Sequence, residues 1–369
     1  MVFNIILIIL LFFAVLEMLG YKIPTYVVKI ILSIITIITI FRYGIGVDYF
    51  NYETLYQNTK TLFKSDFWQH IHHGEPGFVV LCSLFKTIGF NFTFFNIVFS
   101  FVIMFFYSKF IIEKSFYPVT SILVFYSLYF MTYPFSTIRQ AFAIILFLYY
   151  SLEFLYEKQY THYFISIIIL SLFHYSILSM IILPLVIKFK LNNYSFLIFL
   201  IVGVLFPLKF FVSTILPYSI SQKVFIYLFA GISWNAIIIR IVFALPIILF
   251  LTNDKLREYP YLYFFKQLYL WGLIFYFLFY NASNMASRIS VYLKSLDIIL
   301  YPMIIYNITK KTNKLILFLY LMFSLLFMFY KNINSQIVNS PYFRGIYKMY
   351  SYPYFSIFNK NTYPIDKLN

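Results

Sequence analysis

Charge is scarce in this chain. Of 369 residues only 11% are charged, while 62% are hydrophobic. A soluble domain carries roughly 25% charged residues, so a water-facing globular surface is excluded. Cysteine is nearly absent too. Cys82 stands alone, which rules out an internal disulfide and any cysteine-rich metal centre. Acidic residues number 12 against 28 lysines and arginines, for a net charge of +16. That excess falls mostly between apolar runs, where the positive-inside rule places it, so no nucleic-acid partner is expected. No coiled-coil pattern, low-complexity tract or internal repeat is visible. The first apolar run lacks a basic leader and a small-residue cleavage site, and reads as a retained span rather than a signal peptide.

What the chain has is apolar blocks, among them residues 5–16, 27–41, 92–106, 144–150, 196–206, 237–251 and 315–330. A bilayer core of ~30 Å needs about 20 mostly apolar residues in a helix, and a helix satisfies its own backbone groups where lipid cannot. The sequence therefore implies an all-α polytopic integral membrane protein with roughly 11–12 transmembrane helices and no soluble second domain. The spans read as 2–19, 26–41, 92–112, 117–133, 138–156, 162–187, 194–212, 233–252, 262–280, 289–307 and 314–330.

Three segments need separate treatment. Residues 78–90 are apolar but short, with Phe78, Leu81, Leu84, Phe85 and Ile88 at helical spacing and Ser83, Lys86 and Thr87 opposite. That pattern suits an interfacial helix. Residues 162–187 carry His174 at their middle. One tilted helix and two half-helices meeting at His174 both fit, and irregular backbone is expected around an imidazole at that depth. Residues 217–231 read as a loop with one amphipathic helix. With 78–90 interfacial and 162–187 a hairpin, Lys22, Lys29, Lys109, Lys114, Lys158, Lys188, Lys190, Lys255, Arg257, Lys310, Lys311 and Lys314 share one side. That side is the cytoplasm. Residues 1–330 then form one transmembrane domain, with 42–91 as an outward loop and 331–369 as an outward tail.

Charges within or at the ends of spans are costly and mark function by default. Arg42, Arg139, Arg240 and Arg288 qualify. Lysine also snorkels, but only arginine adds a planar fork that grips phosphate oxygens in pairs. Several arginines near one outer face point to a lipid-linked phosphate or diphosphate. A snorkelling anchor is the competing reading for each, and pairing with Asp297 is the competing reading for Arg240. Small residues after Arg139 and Gln140 pack them against protein. In FRYGIGVDYFNY, Arg42 ends a span, Gly44 and Gly46 permit a tight turn, and Asp48 returns a carboxylate that would orient Arg42 or take a proton. No strand precedes these glycines, so they are no dinucleotide fingerprint. His70, His72, His73 and Glu75 have metal-binding chemistry, but histidines so spaced on a loop are more often solvated, and no metal is expected. Glu75 is a possible base at a turn. An unperturbed imidazole, with a pKa near ~6.5, suits proton transfer, and the alternative for His174 is a hydrogen-bonded core histidine.

The run Arg42 to Tyr49 (RYGIGVDY), with Tyr52 after it, resembles the signature of the EpsG-like branch of Wzy-type polysaccharide polymerases. Glu75 to Phe78 (EPGF), Ile138 to Ala143 (IRQAFA), Leu172 to Ser176 (LFHYS), Arg288 with Tyr292 and Pro302, and Pro341-Tyr342 resemble that family's later blocks in order. Val47 departs from the small hydroxyl residue usual there.

The resemblance implies a GT-C-like enzyme of the bacterial inner membrane, with its site facing the periplasm. It implies polymerisation of O-antigen or exopolysaccharide repeat units. The growing chain leaves undecaprenyl diphosphate, with inversion, for the non-reducing end of another lipid-linked unit. No metal or cofactor is implied. Partners are undecaprenyl-diphosphate-linked oligosaccharides, the bilayer and, as a candidate, a chain-length regulator. On this reading Arg139 and Arg288 grip the donor diphosphate as preorganised electrostatic stabilisation. Arg42, oriented by Asp48, assists, and His174 or Asp48 takes the acceptor proton. Tyr49, Tyr52 and Trp68 stack on sugars, and Gln140, Glu75, Tyr292 and Arg240 line the substrate site. The alternatives are a flippase of lipid-linked sugars, a ligase and a non-catalytic scaffold. The inverted repeats of many transporters are not visible.

Overall fold

A computed structural model describes residues 2–62, 74–205, 231–250, 259–340, 342–344 and 346–364. Every described element is helical: α1 (Val2–Met18), α2 (Thr25–Ile40), α3 (Tyr49–Asn58), α4 (Pro76–Thr87), α5 (Phe92–Lys114), α6 (Pro118–Phe130), α7 (Ile138–Tyr156), α8 (Tyr160–Ser171), α9 (Tyr175–Val186), α10 (Asn193–Leu205), α11 (Trp234–Phe250), α12 (Pro260–Leu278), α13 (Ser283–Lys294), α14 (Asp297–Asn307) and α15 (Lys311–Asn339). α5, α7 and α15 are each long and apolar enough to cross a membrane alone, and α13 with α14 form a pair bent by 50° that also qualifies. Shorter apolar helices accompany them. The chain is an all-helical polytopic membrane protein.

Local sequence explains the helix ends. Pro76, Pro118 and Pro260 open α4, α6 and α12, where the missing N–H costs nothing. Asn91 caps α5 by accepting from the Phe94 amide at 2.9 Å. The start of α6 is capped from another helix. The Val119 and Thr120 amides donate to the buried Glu17 carboxylate of α1 at 2.9 and 2.7 Å. Gly272 lets α12 lie against α13, since a Cβ there would stand 2.7 Å from Leu293 Cβ; small residues serve this purpose between membrane helices.

The lysine-rich ends gather together. Lys114 pairs with Glu153 at 3.0 Å, Tyr261 donates to Glu153 at 2.9 Å, and Lys314 donates to Tyr117 at 3.3 Å. Lys22, Tyr117 and Tyr306 line a cavity of about 470 Å³ at that end. At the other end the tail folds back over the loop after α2. The Tyr43 amide donates to the Phe355 carbonyl at 2.9 Å, Ile357 donates to Phe41 at 3.0 Å, and the Tyr363 hydroxyl donates to the Gly44 carbonyl at 2.7 Å.

One open alternative is decided and one boundary moves. The segment 162–187 is a hairpin: α8 ends at Ser171, the chain turns through an extended His174, and the 3-10 start of α9 folds back so that Tyr163 donates to the Met180 carbonyl at 2.5 Å. α4 forms as expected near 78–90, but its Phe78, Val79, Cys82 and Ser83 face the protein while Leu84 and Ile88 are exposed. Lys86 caps the end of α3 through the Gln57 and Thr59 carbonyls, so the polar side of the helix faces protein while Leu84 and Ile88 of the apolar stripe stay exposed. α15 continues to Asn339, so the tail starts at Ser340 rather than at residue 331. The amphipathic helix expected in 217–231 falls outside the described residues except for Gly231.

Candidate functional site

Three separate motifs meet around one carboxylate. Glu75 precedes Pro76 at the start of α4. The next residue, Gly77, donates its amide to the Leu172 carbonyl at 2.8 Å. A Cβ on Gly77 would stand 2.8 Å from Leu172 Cβ, so only glycine lets α4 begin against the hairpin turn. Phe78 anchors the other side, edge-on to Phe95 and Phe99 at 5.5 and 5.4 Å. The result delivers Glu75 to His174, whose Nδ1 lies 3.1 Å from Glu75 Oε1. The other oxygen, Oε2, accepts from Arg139 in the first turn of α7.

Glu75 therefore bridges a cation and an imidazole. Burial alone would raise its pKa, but the His174 hydrogen bond and the Arg139 charge outweigh burial and hold it below the ordinary carboxylate value. The carboxylate is ionised, so His174 carries its hydrogen on Nδ1 and donates it. Its Nε2 is buried and has no hydrogen-bond partner among the described residues. The Arg139 guanidinium lies over the Tyr52 and Phe78 rings at 5.2 and 5.6 Å. Burial, with the Asp48 charge added and the Arg139 charge opposing, pushes the Tyr52 hydroxyl up to about 12.

The remaining blocks attach to this centre. Tyr292 of α13 is buried and shares a 2.8 Å hydrogen bond with Ser176, two residues beyond His174. The Gln140 amide donates to the Arg288 carbonyl at 3.5 Å. Arg288 lies within electrostatic range of Tyr292 and Tyr133. Asp48 lies within range of Arg139 and Tyr52. Glu75, Arg139, Gln140, His174, Tyr292, Arg288, Tyr52 and Asp48 thus form one neighbourhood.

Arg42 does not join it. Only 1% exposed, its guanidinium donates to the Thr39 carbonyl at 2.6 Å, Ser100 Oγ at 3.0 Å and Asn96 Oδ1 at 3.3 Å, and lies over Phe135 at 5.3 Å. Asp48 does not orient it. Its Oδ1 accepts from Asn51 at 3.4 Å. Tyr49 is 3% exposed, walled by Tyr43 and Phe92, and Tyr52 is 5% exposed beneath Arg139, so neither ring offers an open face for a sugar. Arg240 forms no ion pair with Asp297. It lies over the Tyr276 ring at 4.5 Å, and both Asp297 oxygens accept from Tyr129 at 2.8 Å. Trp68, His70, His72 and His73 lie outside the described residues. Among the described residues no three His, Cys, Asp or Glu side chains gather as metal ligands. Sequence reasoning missed Ser176 and Tyr133, although Ser176 stands in the quoted histidine motif.

Compared with known proteins, residues 25–347 match the EpsG family. No curated protein and no solved structure matches the chain. The family match runs from α2 through α15 and takes in all of the converging motifs, and the chain belongs to the EpsG family, a family of Wzy-like polysaccharide polymerases and glycosyltransferases.

Proposed function

We propose that this protein is a polysaccharide polymerase of the bacterial inner membrane with a GT-C-like mechanism. It transfers a growing glycan from undecaprenyl diphosphate to the non-reducing end of another lipid-linked repeat unit on the periplasmic side, with inversion. The observation that carries this reading is the Glu75–Arg139–His174 convergence, at the end of the bundle away from the lysine-rich ends.

In the proposed step, His174 Nε2 takes the proton from the acceptor hydroxyl, because Glu75 holds the hydrogen on Nδ1. The hydroxyl oxygen bonds to the anomeric carbon of the donor. The bond from that carbon to the phosphate oxygen breaks, and its electron pair leaves with undecaprenyl diphosphate. Positioned general base catalysis of this kind contributes about 10²–10⁴-fold. Arg139, fixed by Glu75, and Arg288 supply positive charge near the reacting atoms. Asp48, in range of Arg139, is the second candidate base.

The test is a surface-polysaccharide gel from cells carrying His174→Ala, Arg139→Ala or Arg288→Ala at normal membrane abundance. The expected pattern is collapse of the ladder to a single repeat. Wild-type chain length in all three would overturn the assignment, and loss of every rung would indicate a flippase instead.

A further inference from the structure

The cavity at the lysine-rich end has no part in the polymerase reading. It measures about 470 Å³, is walled by Tyr21, Phe116, Tyr117 and Tyr306, and is edged by Lys22. The Tyr306 ring stands 4.7 Å from Phe116 and 5.7 Å from Tyr117, and Lys314 of α15 donates to the Tyr117 hydroxyl at 3.3 Å. Glu17 also lines the cavity, but its carboxylate is occupied by the Val119 and Thr120 amides and by the Thr120 hydroxyl at 2.8 Å. Tyr21 and Tyr306 are exposed, so the mouth is rimmed by tyrosine, a residue that favours the boundary between headgroups and acyl chains.

A groove adjoins the cavity. Lys29, Ser33 and Thr36 of α2 and Phe105 and Ser108 of α5 line about 390 Å³, and Ile112 lines both spaces. The groove exists because small side chains stand among large ones. The Thr36 and Ser108 hydroxyls donate to the Leu32 and Met104 carbonyls of their own helices at 2.8 Å, so those two walls are satisfied without a polar guest. From Ile112, two residues short of the lysine end of α5, to Phe101, near its middle, the groove runs about 16 Å at a rise of about 1.5 Å per residue. Half of a ~30 Å bilayer core is about 15 Å, so the groove spans one leaflet. Lys29 stands at the end nearest the cavity, next to Val28, which lines it. Among the described residues neither Lys22 nor Lys29 forms an ion pair.

We propose that cavity and groove together bind one anionic glycerophospholipid from the leaflet on the lysine-rich side. Its phosphate sits at the cavity mouth among Lys22, Lys29 and the Lys314–Tyr117 pair, and one acyl chain lies between α2 and α5. Charge selects the headgroup, because three lysines converge where the lining carboxylate is already taken. Length selects the chain, because a groove that ends at mid-bilayer fits an acyl chain and not a long polyprenyl chain. The lipid staples α2 to α5, and with them the turn that carries RYGIGVDY. The site lies at the opposite end of the bundle from the Glu75 centre and does not depend on the polymerase reading.

The experiment titrates dioleoylphosphatidylglycerol into the full-length protein, delipidated in detergent, and reads thermal melts and the lipid retained in native mass spectra. One phosphatidylglycerol should be retained and should raise the melting temperature, while dioleoylphosphatidylcholine should do neither. The Lys22→Gln, Lys29→Gln double variant should bind about thirtyfold more weakly, the loss typical of removing two lysines from an anionic lipid surface. The corresponding double arginine variant should bind as wild type. Ser108→Leu fills the groove and should weaken binding of the dioleoyl lipid but not of a dihexanoyl one, whose chain is too short to reach that far. Equal binding of the two headgroups, or unchanged binding by the double glutamine variant, would overturn the site. Stabilisation by inorganic phosphate to the same extent would assign the cavity to a free anion and overturn the lipid. Displacement of the phosphatidylglycerol by a polyprenyl diphosphate would do the same.

Discussion

At the scale of single residues, Glu75 governs two partners at once. Glu75→Gln keeps the shape but removes the charge and leaves one acceptor oxygen where Arg139 and His174 Nδ1 each use one. Chain-transfer rate should fall by about 10²-fold or more, as measured by radiolabelled repeat-unit incorporation. The same carboxylate sets an acid limit on stability. Its folded pKa lies below the ordinary value of 4.5, so its contribution is complete above that pH and is lost as pH falls through the folded value. Thermal melts in detergent from about pH 6 to about pH 3.5 should show wild type losing more stability than Glu75→Gln. Arg42 behaves differently. Arg42→Ala leaves the Thr39, Ser100 and Asn96 acceptors without their buried donor and should destabilise the fold by about 1–3 kcal/mol for each acceptor left unpaired. Whatever protein remains folded should show an unchanged KM, since no substrate role attaches to it. The sequence exposed Arg42 as a charge at a span end, but its partners were not legible by proximity along the chain. The signal available was Asn96 and Ser100, one turn apart in the otherwise apolar stretch from Phe94 to Phe106 of α5. Asp48 and Glu75 stand in the same loop with the same chemistry, so which one meets Arg139 and His174 was set by packing.

At the scale of elements, the glycines of RYGIGVDY have distinct duties. Gly44 has φ 63° and a Cβ there would stand 2.3 Å from the Tyr363 ring, whereas Gly46 has φ 105° and its Cβ would stand 2.2 Å from the Phe135 carbonyl oxygen. Both positions favour glycine by backbone conformation, by roughly 1–2 kcal/mol. A ring yields more readily than a backbone carbonyl, so Gly46→Ala should lower the melting temperature more than Gly44→Ala, and Tyr363→Ala should rescue only the latter. Helix positions were legible because apolar runs and proline starts fix them locally. The facing of α4 was not. Its Ser83 and Lys86 find carbonyl partners at the end of α3 and just beyond it, contacts that leave no trace in the local pattern. Lys294 lies within the span expected over 289–307, directly before the 50° bend between α13 and α14, and stands over the Tyr129 ring at 5.3 Å.

At the scale of the whole molecule, the lysine-rich ends and the Glu75 centre mark two opposed ends, and the tail rests on the latter. With Cys82 buried, engineered cysteines report cleanly on sidedness. Lys348→Cys should react with an impermeant maleimide in spheroplasts, and Lys310→Cys only after permeabilisation. Equal reaction of both would break the assigned orientation. The aromatic enclosure of the tail, with Tyr363 packed on Tyr43 and Phe50 and itself flanked by Phe343 and Phe355, was only partly legible, because ring contacts across three hundred residues leave no periodic trace. What the sequence did carry was the order of motifs, and those motifs are where separate helices touch.

The strap formed by the tail makes the turn after α2 depend on residues more than three hundred positions away. Residues 41–44 are hydrogen-bonded to Phe355, Ile357 and Tyr363, so a nascent chain that has already inserted every helix still lacks the brace on its most glycine-dependent turn. A chain cut after α15 should therefore keep its helices yet leave that turn without its brace.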